Sequence, residues 1–274
     1  MVIDAHQHFW KYDPVRDSWI TDEMAVIQRD FLPGDLEQEL SANGVDGCVS
    51  VQADQSEDET QFLLQLADQS TFVKGVVGWV DLRSDNLTDR LVYFREFPKL
   101  KGFRHIVQGE PAGFLENTKF ISGINELHKH GFTYDLLIYH YQMQEALSFV
   151  AKIPDTRIVI DHIAKPAIAR GEKTQWELNM AAMATFPNIF CKLSGMVTEA
   201  SWRNWKRDDF YPYLDEVMEA FGPERLMYGS DWPVCLVAAQ YREQLDIVRS
   251  YISRLSDEEQ KAILGENAVA FYGL

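Results

Sequence analysis

A chain of 274 residues with 46% hydrophobic and 12% aromatic content can bury a large core and reads as globular. Its formal net charge of -16, with no dense Lys/Arg run, argues against a nucleic-acid partner, because phosphate backbones demand a basic face. No apolar run reaches the roughly 18 to 20 residues that span a bilayer, so no membrane partner is expected either.

The chain opens on an apolar run at residues 2–6 that predicts a buried strand, followed by an irregular stretch, 9–32, carrying Trp10, Tyr12 and Trp19. A helix is expected at 33–42, then strand 47–52, helix 60–69, strand 75–81, helix 86–97, strand 102–107 and helix 121–130. Strands at 134–138, 157–161, 189–194 and 226–230 alternate with helices at 142–151, 176–186 and 209–221, and helices at 241–254 and 257–272 close the chain. Eight strand–helix units over this length predict parallel pairing through crossovers and the α/β class, a (β/α)8 TIM barrel. A doubly wound open sheet is the alternative, and the lack of G-x-G-x-x-G after the first strand counts against it. With no linker or shift of composition, residues 1–274 read as a single domain. Isolated Cys48, Cys191 and Cys235, and a first strand that leaves no room for a signal peptide, predict a cytoplasmic protein.

In a barrel every strand ends on the same face, so polar residues there form one set. His6 and His8, at i and i+2, point to the same side of a strand and can converge on a metal ion, a water or a carbonyl oxygen. Asp231 ends an apolar strand before Trp232-Pro233; opposite the imidazoles it becomes a candidate general base in place of a turn-capping Asp. His162 is chosen over Asp161, which is expected to be structural, since neighbours on a strand face opposite ways. Arg104 is chosen over His105, because a guanidinium matches a carboxylate or a polarised carbonyl oxygen; burial in an ion pair with Glu110 is its alternative. His140 is read as a helix entry as readily as a ligand, and Lys165 and Lys192 as solvated surface groups, with attraction of an acidic substrate as their alternative. Residues 9–32 are expected to wall or cover the pocket, and Trp10, Trp19, Trp202 and Trp232 either stack on substrate or fill a loop core.

With His6-Gln7-His8, Lys101-Gly102-Phe103-Arg104-His105, Asp161-His162-Ile163-Ala164-Lys165-Pro166 and Gly229-Ser230-Asp231-Trp232-Pro233 in this order, the chain resembles the sugar-lactonase group of the amidohydrolase-related family. That group includes L-fuconolactonases and L-rhamnonolactonases, with pyrone-dicarboxylate lactonases more distant. The resemblance implies a (β/α)8 barrel that opens a small lactone to its sugar acid with water, around His6, His8, His162 and Asp231, with Arg104 as a substrate contact. His6, His8 and Asp231, with His162 as a further candidate, suffice for one divalent ion, zinc first, while similarity to lactonases that work without metal leaves its occupancy and necessity open. A second, bridged metal is not expected, since the fourth strand offers no bridging Lys and Glu110 lies past its end. Two readings stand beside this one: a non-oxidative decarboxylase on the same barrel, and a non-catalytic sugar-acid binding protein. The oligomeric state and the particular sugar are not legible.

Overall fold

Eight short strands form one sheet in their order along the chain: β1 (Ile3–Gln7), β2 (Gly47–Val51), β3 (Val73–Gly78), β4 (Leu100–His105), β5 (Thr133–Leu136), β6 (Ile158–Ile160), β7 (Ile189–Leu193) and β8 (Leu226–Tyr228). The computed structural model describes residues 1–274, and each successive strand pair is parallel. Parallel neighbours require crossovers, which helices supply: α1 (Pro33–Asn43), α2 (Glu57–Gln69), α3 (Leu87–Phe94), α4 (Thr118–Lys129), α5 (Met143–Val150), α6 (Thr174–Ala184), the one-turn α7 (Met196–Glu199) and α8 (Arg207–Phe221). After β8 come α9 (Tyr241–Ile252), α10 (Asp257–Lys261) and α11 (Asn267–Tyr272). The sequential order and the meeting of β1 with β8 make this the expected (β/α)8 barrel, and the doubly wound alternative falls. No helix is long and apolar enough to cross a membrane.

Local chemistry sets the element ends. Pro33 opens α1, where its missing N–H is no loss, and Gly44, at φ +63°, ends it. Helix α2 starts three residues ahead of the expected Thr60 because Ser56 accepts the Glu59 N–H as its cap. Strand β6 stops at Ile160 because His162 to Lys165 all adopt left-handed φ between +47° and +58°. The final helix, expected as one piece, is α10 and α11 joined by a π-helical turn at Ala262–Glu266.

Two apolar layers result. Leu63, Phe94, Phe120, Phe149 and Leu214 from the helices pack on Phe103, Leu136, Ile160 and Leu193 of the sheet. Inside the barrel, Ile3, Ala5, Val49, Val51, Val77, Val159 and Met227 pack together, with Ala268, Phe271 and Tyr272 of α11 as their plug. Above this plug the interior turns polar, and the site begins there.

Candidate active site

The expected set converges. His6 Nε2 lies 3.2 Å from His8 Nε2, and Asp231 Oδ1 stands 3.4 Å from His8 Nε2 and 3.8 Å from both His6 Nε2 and His162 Nε2. All four residues are at most 4% exposed. The other ring nitrogens are held from behind. His8 Nδ1 donates to the Val51 carbonyl at 2.7 Å, which leaves a lone pair on Nε2. His162 Nδ1 meets Ser194 Oγ at 2.9 Å, and His6 Nδ1 meets Asp161 Oδ1 at 3.2 Å. Burial pushes the pKa of all three imidazoles down, so they stand neutral at pH 7. Burial alone would raise Asp231, but its neighbours, the charge of Lys165 among them, hold it below the ordinary carboxylate value.

Backbone geometry presents these groups. Asp231 sits at φ +58°, a left-handed conformation that Asp tolerates better than most residues, fixed by its N–H to the His6 carbonyl at 2.8 Å. The left-handed run His162 to Lys165 breaks the alternation of β6, so Asp161 and His162 both reach the centre, which strand geometry alone would forbid. Trp176 Nε1 donates to the Ile163 carbonyl and His140 Nδ1 to that of Lys165, each at 2.7 Å, so His140 clamps this turn and is not placed as a ligand. Gly195, at φ +61°, lets the turn close, since a Cβ there would lie 2.5 Å from His162 Nδ1.

Arg104 departs from its alternative partner. Its Nη1 lies 3.1 Å from Asp161 Oδ2 and 3.3 Å from His6 Nε2, and Nη2 donates to the Gln52 carbonyl, whereas Glu110 pairs with His105 at 2.7 Å. Asp161 is structural in the sense expected, yet it joins a charged network. Lys192 Nζ, fully buried, lies 2.5 Å from Asp135 Oδ2, 3.0 Å from Asp161 Oδ1 and 3.1 Å from His6 Nδ1, and Tyr272 donates its hydroxyl to Asp135 at 2.9 Å. Burial pushes Asp161 up, but Lys192, His6 and Arg104 together hold it well below the usual carboxylate range. The reading of Lys192 as a solvated group is therefore corrected: two carboxylates make its burial tolerable. A signal was present in the sequence, a lone Lys inside the apolar strand Ile189-Phe190-Cys191-Lys192-Leu193. Lys165 is corrected likewise; it lines the cavity and lies 3.8 Å from Glu199.

The cavity, of about 330 Å³, is lined by His8, Arg104, His162 and Asp231, by polar Gln108, Tyr139 and Lys165, and by apolar Ala53, Ile106, Leu137, Val234 and Trp19. The loop after β1 thus does wall the pocket, through Trp19. Trp10 and Trp232 are buried against Phe31, and Trp202 donates to the Thr198 carbonyl, so these three fill loop cores.

The donor set suits a divalent ion. Nitrogen and oxygen ligands 2.0–2.2 Å from a tetrahedral zinc stand about 3.3 Å apart, close to the spacings among His6, His8 and Asp231, whose ligand atoms lie within 4.8 Å of one another. A second trio, His6, Asp161 and His162, meets the same limit, but the ammonium of Lys192 and the guanidinium of Arg104 already face its carboxylate.

The amidohydrolase family model matches residues 3–274. An L-fucono-1,5-lactonase of Burkholderia multivorans is 39% identical, over 99% of this chain and 96% of its own. One of Burkholderia ambifaria is 35% identical, over 98% of this chain and 94% of its own. A crystal structure of an amidohydrolase from Burkholderia multivorans with bound zinc matches with a TM-score of 0.97 at 39% identity, covering 100% of this chain and 99% of that one.

Proposed function

The chain belongs to the amidohydrolase family, and from that membership and the geometry of its site we propose that it is a hydrolase that opens a small sugar-derived lactone to the sugar acid. L-fucono-1,5-lactone, named for two relatives, is the first substrate to test. The observation that carries this reading is the convergence of Asp231 Oδ1 with the Nε2 atoms of His6, His8 and His162, where His8, His162, Asp231 and Arg104 line one cavity.

Asp231, ionised at neutral pH, accepts a proton from a water that the neutral imidazole of His162 helps to orient. The water oxygen forms a bond to the lactone carbonyl carbon, and the carbonyl electron pair moves onto its oxygen. Arg104, a fixed positive charge in a buried setting, stabilises that oxyanion. The tetrahedral species then expels the ring oxygen, which takes back the proton held by Asp231, leaving a hydroxy acid and an ionised Asp231. His6, His8 and Asp231 are the residues that would hold a divalent ion, zinc first, and such an ion when bound polarises the carbonyl and acidifies water. Apolar Ile106, Leu137 and Val234 against polar Gln108, Tyr139 and Lys165 suit a ring with an apolar and a hydroxylated side. Residues 1–274 act as one catalytic domain on a small molecule, in the cytoplasm.

A pH-indicator assay against L-fucono-, L-rhamnono-, L-galactono- and D-arabinono-lactones, before and after chelation and with metal content measured in parallel, tests this. Acid release well above spontaneous opening is expected on at least one lactone. Release no faster than the blank on all four overturns it.

A further inference from the structure

The reactive groups come from opposite ends of the chain and meet where the barrel closes. Across that seam β1 and β8 share no regular ladder. One parallel bridge, Gln7 to Trp232, and two backbone bonds, His8 N–H to Trp232 O at 2.7 Å and Asp231 N–H to His6 O at 2.8 Å, join the end of β1 to the segment just past β8. The N–H groups of Ser230 and His6 go to a side chain instead: both donate to Asp4 Oδ1, at 2.8 and 3.2 Å. Tyr241 of α9 donates its hydroxyl to Asp4 Oδ2 at 3.1 Å, and Asp4 is fully buried.

Asp4 also sits at an irregularity in β1. Ile3 and Ala5 face the inner core, so regular alternation would turn His6 outward with Asp4. His6 instead reaches the barrel axis, where it meets Asp161 and Lys192. The register of β1 against β2 slips between Asp4 and Gln7, a bulge that re-aims His6, and Asp4 accepts the N–H of the re-aimed residue. Gly229 completes the fit, because a Cβ there would stand 2.7 Å from His6 Cβ.

We propose that Asp4 is a positioning residue: its carboxylate locks the β1 bulge to the Ser230 turn, so that His6 and Asp231 aim their donor atoms at one point. This rests on the reading of His6, His8 and Asp231 as the reactive centre. Asp4 acts through His6 and Asp231, and its loss should disturb metal affinity and turnover more than substrate affinity.

Zinc affinity, by competition with a chromophoric chelator, and kcat and KM on the best lactone are measured for wild type, Asp4→Ala, Asp4→Asn and Tyr241→Phe. Asp4→Ala is expected to weaken zinc binding and to lower kcat by about 10- to 100-fold each, with KM within about threefold. Asp4→Asn, which keeps an acceptor for Ser230, is expected to recover most of both. A folded Asp4→Ala protein with zinc affinity and kcat within about twofold of wild type overturns the proposal. If Asp4→Ala does not fold, Tyr241→Phe decides: a loss of about twofold or more in zinc affinity supports the proposal, and an unchanged affinity overturns it. A wild type that binds zinc but opens no lactone defeats the substrate assignment and leaves the zinc readout to judge Asp4. A wild type that does neither overturns both.

Discussion

Asp231 combines two properties that a general base in a dry site needs. It is 4% exposed, so its proton transfers are shielded from bulk water, and its neighbours keep it ionised. Asp231→Asn preserves shape and removes the proton acceptor; kcat is expected to fall by about 10²- to 10⁴-fold with KM within a few-fold, read from steady-state kinetics. Lys192 makes a different prediction, because it faces two buried carboxylates rather than the cavity. Lys192→Met leaves Asp135 without its counter-ion and is expected to cost about 3–5 kcal/mol of stability in urea unfolding, while a cost below about 1 kcal/mol, the range of a surface pair, would refute its structural role. His6, His8, His162 and Asp231 were legible because each stands at or just past the end of an apolar run. Lys192 was not, because the carboxylates that stabilise its burial lie on β5 and just past β6, and only barrel closure brings them to β7.

The left-handed turn at His162 to Lys165 is the element that places both side chains in the cavity. Four non-glycine residues in that region are costly, and the turn persists because Trp176, His140 and Gly195 confine it. Gly195→Ala adds a methyl group against the His162 ring at a positive φ, and is expected to destabilise the fold by about 1–3 kcal/mol and to reduce kcat; thermal melts and kinetics check both. The turn could not be read beforehand, since nothing in Asp161-His162-Ile163-Ala164 signals a left-handed backbone without glycine. The loop before α2 yields a pH prediction. Glu59 accepts the Ala53 N–H at 2.5 Å, and burial pushes its pKa up from 4.5 to about 7, against that hydrogen bond. Because the folded value is the higher one, stability is greatest below the unfolded value and is lost as pH rises through the folded one. Glu59→Gln cannot ionise and keeps an acceptor for Ala53. Its Tm should match wild type near about pH 4 and exceed it increasingly toward about pH 8, and parallel curves across that range would show that Glu59 does not titrate there.

At the scale of the whole molecule, the eight strand–helix units were legible because alternating runs leave parallel pairing as the economical arrangement, whereas periodicity could not decide between an open sheet and a closed barrel, because closure depends on contacts between residues more than 200 positions apart such as Asp4 and Ser230. Closure is also where an ion would act on the fold. His6 and His8 belong to β1 and Asp231 follows β8, so an ion held by these three cross-links the seam that the strand ladder leaves open. The unfolded chain separates these ligands and binds the ion far more weakly, so zinc should stabilise the native state by mass action. At a free concentration of 100 times Kd the gain is about 2.7 kcal/mol, which for a domain of this size corresponds to a rise in Tm of roughly 5–10 °C. Chelator-treated protein melted with and without added zinc should show that rise, and His8→Ala, which removes one ligand, should abolish it. An equal rise in His8→Ala would place the stabilising ion elsewhere on the molecule, and no rise in wild type would mean that hydrogen bonds alone hold the seam.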